Sequence, residues 1–261
     1  MTHKPADEEA IAVNQVAWDE VAAAGDRFYH ALDDTRIEEA RSGEVRIKLT
    51  PNRWVPSEWL GDVSGLSVLC LACGGGQQAP LFAAAGAKTT VFDLSDQQLQ
   101  RDRDAAARFG LDFATVQGDM AKMTAFGDAT FDLVVNPCSV CYCPEPGPIW
   151  QEVYRVLKPG GHFITGFIKP INYLFDAIET ERGKLIVRHK IPYSDAELPE
   201  EDKARLLGPS RPIEFGHSLS KLIGQQIEAG FSIIGFYEDG WGGRDLLTKY
   251  IDVFAATRSR K

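Results

Sequence analysis

Two cysteines, three positions apart, are followed at once by three glycines in residues 68–80, VLCLACGGGQQAP. A C-x-x-C pair is typical of metal and redox sites, because two thiolates so spaced can share an ion or form a disulfide. Gly74 and Gly76 let the backbone approach a ligand, and free N–H groups at a helix start near Gln77 attract anions. The stretch is compatible with a metal site, a phosphate loop or another cofactor pocket.

An acidic residue downstream narrows this choice. Gly74, Gly76 and Ala79 satisfy the G-x-G-x-x-G/A pattern of dinucleotide sites, which is weak by itself. Asp93 ends the next apolar run, 19 positions after Gly74, where a carboxylate can accept both hydroxyls of a ribose. The alternative is that Asp93 only caps a helix that starts near Ser95. The spacing favours a nucleoside-bearing cofactor.

The residues around this loop alternate between short apolar runs and helical patterns. The runs predicted as strands are Val68–Ala72, Thr89–Asp93, Phe113–Gln117, Phe131–Asn136 and Phe163–Phe167. Strands that alternate with helices indicate crossovers and a parallel sheet. Two further strands, 231–239 and about 250–256, lie too close in sequence for a crossover helix and should pair antiparallel. The sequence therefore predicts an α/β fold with a seven-stranded, mostly parallel sheet and one reversed strand.

Two segments lie outside this predicted core. Residues 1–64 form a helical and extended cap, and 168–216 form an insertion long enough to be a functional lid. The predicted division is thus a cap (1–64), a cofactor-binding core (65–167), an inserted lid (168–216), and a last helix with the closing strand pair (217–261).

The charge balance and cysteine count restrict the partners. The net charge of −9 and the absence of a basic stripe disfavour nucleic acid as a substrate. The basic cluster Arg258, Arg260 and Lys261 is expected to keep a terminal tail soluble. No segment is apolar enough for a secretory signal or a membrane span, and five cysteines in a chain of this size are expected to be reduced thiols. A cytoplasmic location follows as an expectation.

Five motifs in a fixed order resemble those of a known family. VLCLACGGGQ, VFDLSDQQL, GDM, FDLVVN and VYRVLKPGGHFI are similar to segments of the class I S-adenosylmethionine-dependent methyltransferases, in particular the small bacterial enzymes that methylate small molecules. The resemblance covers about residues 65–167. It implies a Rossmann-like doubly wound sheet, S-adenosylmethionine as cofactor and a small-molecule methyl acceptor.

The resemblance also implies roles for individual residues. The methionine part of the cofactor would contact the glycine loop and the helix start, that is Ala72, Cys73, Gly74, Gly76 and Gln77. Asp93 would hold the ribose and Leu94 would lie against the adenine, with Asp119 accepting from its amino group and Met120 packing on the ring. Asn136 and Pro137 would place backbone carbonyls near the methionine amino group.

The chain departs from the family at two positions. The family usually has an acidic residue where this chain has Cys70, and a glycine where it has Ala72. That acid commonly helps to hold the ammonium group of the cofactor, so Asn136, a backbone carbonyl or an N-terminal residue would have to replace it.

The cysteines allow other interpretations. Cys70 lies inside a strand, so Cys70 and Cys73 should point to opposite sides, which disfavours a closed zinc site, and no metal is expected. Cys138, Cys141 and Cys143 follow the fourth strand, where they would bind a soft acceptor, such as a metalloid or a thiol, or line a pocket as small buried side chains.

A general base is needed if the acceptor atom is oxygen or nitrogen. His217, at the start of the last helix, is the best candidate, since a helix N-terminus keeps imidazole neutral; it is otherwise a helix-entry residue beside Ser218. Tyr142 follows the fourth strand and is a second catalytic candidate. Trp18, Tyr29 and Cys138 are candidates for contacting the substrate, although aromatic residues at helical spacing also fill cores.

Two other functions remain compatible with the cofactor pattern. An NAD(P)-dependent oxidoreductase would use the glycine pattern but leaves GDM, LKPGG and the reversed strand unexplained. A non-catalytic S-adenosylmethionine-binding sensor would accommodate the cysteine at position 70.

Overall fold

The computed structural model describes residues 5–24, 31–206, 211–243 and 245–261. Its strands are β1 (Ser67–Leu71), β2 (Lys88–Asp93), β3 (Ala114–Gln117), β4 (Phe131–Asn136), β5 (Leu157–Ile168), β6 (Tyr193–Ser194), β7 (Phe215–Gly216), β8 (Ser232–Asp239) and β9 (Phe254–Arg260). Within these ranges, seven strands form one sheet in the order β3-β2-β1-β4-β5-β9-β8, and β6 pairs with β7. Strands β1 to β5 pair in parallel, whereas β9 is antiparallel to β5 and β8. The predicted sheet is confirmed.

Helices cover both faces of the sheet. They are α1 (Pro5–Ala24), α2 (Asp34–Arg41), α3 (Ser57–Leu60), α4 (Ala79–Ala84), α5 (Asp96–Phe109), α6 (Pro146–Val156), α7 (Ala177–Glu181), α8 (Glu200–Leu206) and α9 (Gln225–Glu228). A π-helical turn, Ser220–Gly224, precedes α9, and the two together form the predicted last helix.

Alternation along each strand divides the core into two layers. Val68 and Cys70 of β1 pack with α2 to α5 on one face, and Leu69 and Leu71 pack with α6 and the last helix on the other. Because both faces are covered, the strands are near-continuous apolar runs, as expected for a parallel sheet.

The carboxyl-terminal residues are part of the sheet and do not form a tail, so that prediction is wrong. Arg258 lies on β9, between β5 and β8. The ammonium group of Lys261 donates to the carbonyls of Tyr154 and Leu157, which are acceptors at the end of α6. Cations commonly stabilise helix carboxyl ends in this way.

Helix α1 lies along the edge of the sheet where the parallel strands end. Asp19 accepts from the Ser95 hydroxyl at 2.5 Å, just after β2. Asn14 is buried and donates to the carbonyls of Tyr142 (2.9 Å) and Ile213 (3.0 Å), while its Oδ1 accepts from the Ile213 N–H at 2.6 Å. One helix therefore connects the loop after β2, the loop after β4 and the inserted segment 168–216.

None of the helices in the described part of the chain is long and apolar enough to cross a membrane.

Candidate active site

The glycine loop begins with an alanine in an unusual conformation. Ala72 has a φ of 47°, in the left-handed region that disfavours a Cβ atom. Its N–H donates to the Phe92 carbonyl at 2.7 Å, which holds the loop against β2. This left-handed residue also places Cys70 and Cys73 in the same core layer, where burial and the neighbouring Cys70 raise the pKa of the Cys73 thiol. The prediction that they point to opposite sides is wrong, because strand alternation ends at Ala72.

We expect Ala72→Gly to stabilise the protein. Glycine removes a steric cost of about 1–2 kcal/mol and adds an entropic cost of about 0.5–1 kcal/mol, so the net gain is roughly 0.5–1 kcal/mol. The melting temperature should rise by about 2 °C. The control Ala106→Gly, inside α5, should lower it instead, since glycine is unfavourable in a helix. A lower melting temperature for Ala72→Gly would contradict the expectation.

Asp93 is held beside the loop by two backbone donors. Its Oδ2 accepts from the Gly74 N–H at 2.8 Å, and its Oδ1 accepts from the Ser95 N–H at 3.0 Å. Burial raises the pKa of Asp93, and these N–H groups oppose that rise. Each oxygen keeps a second lone pair for another donor, as the predicted ribose contact requires.

The glycines are also required by packing against α5. A Cβ atom on Gly74 would lie 2.8 Å from the Gln98 Cβ, and one on Gly76 would lie 2.7 Å from the Arg101 carbonyl oxygen. The sequence explained these glycines only by the close approach of the backbone to a ligand. The structure adds a second reason, close contact between the loop and a helix, and Gln77 follows half-buried at the loop's end.

The residues after β3 lie at the same edge. The Gly118 N–H donates to the Asp93 carbonyl at 2.9 Å, which joins the loop after β3 to the end of β2. Asp119 Oδ1 accepts from the Ala121 N–H at 2.9 Å, and Met120 packs half-buried on the second core layer. The Leu94 carbonyl accepts from the Gln117 side chain. The predicted adenine-side residues are therefore brought together with Asp93.

Asn136 cross-links three strands. Its Nδ2 donates to the Leu71 carbonyl at 2.9 Å and to the Ser139 hydroxyl at 2.7 Å, and its Oδ1 accepts from the Thr165 hydroxyl at 2.9 Å. Both donors of this fully buried amide are used within the fold. The side chain of Asn136 thus has a structural role, and the carbonyl of Pro137 accepts from the Ser139 N–H.

An aromatic pair lies between α1 and the loop after β4. The rings of Trp18 and Tyr142 meet edge to face, with centroids 4.9 Å apart. Burial raises the pKa of Tyr142 well above its ordinary value, so its phenol stays protonated at neutral pH. The structure brings these two predicted residues together, whereas the third aromatic candidate, Tyr29, lies outside the described residues.

His217 is buried beneath the short 3₁₀ turn that follows β4. Its Nε2 lies 2.9 Å from the Cys143 carbonyl and 3.2 Å from the Val140 carbonyl, so this nitrogen carries the proton and donates. Burial lowers the pKa of His217, which keeps the ring neutral. Only Nδ1 can then accept a proton, and the catalytic role of His217 stays a prediction.

The cysteines after β4 are enclosed by the fold. Burial raises the pKa of Cys138 and Cys141, which keeps both thiols protonated. The Cys138 N–H donates to the Leu49 carbonyl at 3.2 Å. Among the described residues, no three His, Cys, Asp or Glu side chains are grouped to hold a metal ion.

A polar cluster on the inserted segment lies next to this turn and was missed by sequence reasoning. Glu214 accepts from the Tyr173 hydroxyl at 3.0 Å and from Arg211 at 3.4 Å, and burial raises its pKa. Asp195 accepts from the Glu214 N–H at 2.8 Å and from the Tyr193 hydroxyl at 2.5 Å. Glu214 is 41 positions from Tyr173 and 19 from Asp195, so no local pattern indicates the cluster.

Comparison with known proteins identifies the family. Residues 69–165 match a family model described as "Methyltransferase domain". The chain is 44% identical over 252 residues to the uncharacterized methyltransferase YbaJ of Bacillus subtilis (strain 168), covering 96% of this chain and 98% of the relative.

Solved structures share the fold. An S-adenosylmethionine-dependent methyltransferase from Mesorhizobium loti has a TM-score of 0.60 at 21% identity, over 78% of this chain and 94% of that one. The 1,6-didemethyltoxoflavin-N1-methyltransferase of Burkholderia thailandensis, with bound 1,6-didemethyltoxoflavin and S-adenosylhomocysteine, has a TM-score of 0.62 at 15% identity, over 100% of this chain and 92% of that one. Because the Bacillus relative matches this chain along nearly the whole length of both, the chain belongs to the class I S-adenosylmethionine-dependent methyltransferases, and S-adenosylmethionine is its cofactor.

Proposed function

We propose that this methyltransferase acts on a small-molecule acceptor held between the sheet edge, α1 and the inserted segment 168–216. The observation that carries the proposal is the three-way connection made by Asn14, which joins α1 to Tyr142 and to Ile213. A site that its own chain covers in this way favours a small acceptor, which fits beneath a lid. It disfavours a large polymer, which would have to lie across the edge of the sheet. The division into cap, core and lid is part of this proposal.

The residues at the sheet edge fit the cofactor. Asp93 and Asp119 supply carboxylate acceptors after β2 and β3, which suit ribose hydroxyls and an adenine amino group. Loop residues Ala72, Cys73 and Gly74 adjoin Asp93, where we propose that they contact the methionine part. When bound, the cofactor would supply a methyl group on a positively charged sulfonium for in-line transfer to the acceptor atom, with S-adenosylhomocysteine as the leaving group.

The chain's own residues would position the acceptor and exclude water. The Trp18–Tyr142 pair supports this role, since it places aromatic surface between α1 and the turn after β4. Because Tyr142 keeps its proton, it can donate a hydrogen bond to the acceptor but cannot deprotonate it at neutral pH. For proton removal, neutral His217 through Nδ1 is our proposed base, and Glu214 is an alternative whose raised pKa suits proton uptake.

Methyl transfer to a metabolite extract tests the acceptor class. Protein incubated with S-adenosylmethionine carrying a tritiated methyl group and a cell extract should place the label in the small-molecule fraction. The Asp93→Ala variant should incorporate much less label, and the incorporation that remains with it measures the contribution of other enzymes in the extract. Label found only in protein or nucleic acid would contradict a small-molecule acceptor. The cytoplasmic location expected from the sequence stays a prediction.

The Asn14 connection gives a further prediction. Asn14→Leu removes three hydrogen bonds between α1, Tyr142 and Ile213, so α1 should open more readily. We expect S-adenosylhomocysteine to dissociate about tenfold faster in stopped-flow measurements, equivalent to about 1.4 kcal/mol. The control is Gln15→Leu, the neighbouring residue on α1, which should leave the dissociation rate unchanged. Equal rates for the two variants would show that α1 does not retain the ligand.

A further inference from the structure

A carboxylate with no exposure to solvent lies behind the glycine loop. Asp102 is in the middle of α5 and its exposed fraction is 0%. Its Oδ2 accepts from the Gly75 N–H at 2.9 Å, and the N–H groups of Gly75 and Gly76 oppose the rise in its pKa that burial causes. A buried carboxylate is costly unless donors compensate it, so this contact links the charge of α5 to the conformation of the loop.

The direction of these N–H groups distinguishes the loop from a phosphate-binding one. In phosphate loops, successive backbone N–H groups converge on an anion of the ligand. Here Gly75 and Gly76 have positive φ angles of 118° and 72°, and the Gly75 N–H points at α5. The anion that this part of the loop binds is supplied by the protein itself.

We propose that Asp102 is a positioning residue for the methyl donor: its ionised carboxylate holds the Gly75–Gly76 backbone in the conformation that receives the donor. It acts through the loop and the adjoining Gly74–Asp93 hydrogen bond, without touching the cofactor. Family membership does not assign this role to a residue of α5.

The charges around Asp102 decide when it is ionised. Burial raises its pKa to about 7, and the nearby Asp93 carboxylate adds to this rise, whereas Arg103 on the same helix opposes it. The Cys73 thiol faces it from the loop, protonated because burial raises the pKa of Cys73. On α1, Asp19 is bonded to Ser95, and α4 (APLFAA) carries no charged side chain.

The sign of the pH effect follows from these groups. A carboxyl with a raised pKa stabilises the fold below its ordinary value near 3.8, and that contribution is lost as the pH rises through about 7. Ionised Asp102 therefore lowers folding stability while it anchors the loop. Donor binding and folding stability should respond to this residue in opposite directions, which a purely structural residue would not produce.

Calorimetry with S-adenosylhomocysteine tests the proposal. Between pH 8 and pH 6, the affinity of the wild-type protein should fall about fivefold, as a charge-assisted hydrogen bond becomes a neutral one. Asp102→Asn should bind at pH 8 about as weakly as the wild type at pH 6, with little pH dependence, and should melt at an equal or higher temperature at pH 8. Asp104→Asn, an exposed carboxylate on the same helix, is the control and should match the wild type.

Proton release in the wild type provides a second measurement that does not depend on a variant folding. If the donor-binding state requires ionised Asp102, ligand binding at pH 7 should release up to about half a proton, detectable in buffers of different ionisation enthalpy. No release from the wild type, or the same affinity and release in Asp102→Asn, would overturn the proposal. Failure of the wild type to bind the ligand at all would instead contradict the cofactor assignment.

Discussion

Replacing Asp93 with alanine should weaken the binding of S-adenosylhomocysteine by tenfold or more, about 1.4 kcal/mol. The carboxylate lies at the end of β2, and its oxygens accept from the Gly74 and Ser95 N–H groups at 2.8 and 3.0 Å. Alanine removes both the predicted ribose acceptor and the anchor of the glycine loop. Calorimetry at pH 7.5 on the purified variants measures the effect directly.

A second variant separates the two roles of Asp93. Asp93→Asn keeps an amide oxygen for one backbone N–H, so loop geometry should be better preserved than in the alanine variant. Its charge is lost, so ribose binding should still weaken. Asp112→Ala, an exposed aspartate before β3, is the control. If Asp93→Ala binds the ligand as tightly as this control, Asp93 does not hold the cofactor.

Gly166→Ala should destabilise the whole fold. Gly166 lies on β5, where the segment around Leu49 crosses the sheet, and an added Cβ atom would be 2.2 Å from the Leu49 carbonyl oxygen and 2.8 Å from its carbonyl carbon. Because both are backbone atoms, the crossing segment must move as a unit. We expect a loss of at least about 3 kcal/mol, measured by urea unfolding.

The matched control for this substitution is Gly127→Ala. Its added Cβ atom would meet only the Thr130 hydroxyl, at 3.8 Å, so stability should change by less than about 0.5 kcal/mol. The Cys138 N–H also bonds to the Leu49 carbonyl, so Gly166→Ala should disturb the loop after β4 and reduce ligand binding as well. Equal unfolding free energies for the two variants would show that the crossing segment adapts at little cost.

Apolar residues alternate with others at Val45, Ile47 and Leu49, a pattern typical of a half-buried strand. Ile47 and Leu49 are buried, but within the described residues this segment forms a single isolated bridge, between Lys48 and Trp54. Leu49 instead packs its backbone against Gly166 and Cys138. Burial of every second side chain shows that one face of a segment is covered. It does not show that a partner strand is hydrogen-bonded to the segment, because that pairing depends on the tertiary fold.

The sheet and the order of its motifs were determined by the sequence alone. Apolar runs and helical patterns have local periods, and the short connection before the last strand allows only an antiparallel pair. Asp93 was predicted as a site residue for the same reason, because one short helix and one strand, α4 and β2, set its distance from Gly74. Local geometry is enough for each of these conclusions.

The tertiary structure alone decided which side chains complete the site. Asn14 meets Ile213, 199 positions away, and Asp102 meets Gly75 across a helix–loop contact that α5's own pattern does not show. Cys70 and Cys73 share one core layer because Ala72 takes a left-handed conformation that its residue type disfavours. Such contacts depend on how elements pack, and strain or buried charge is tolerated only where the surrounding fold compensates it.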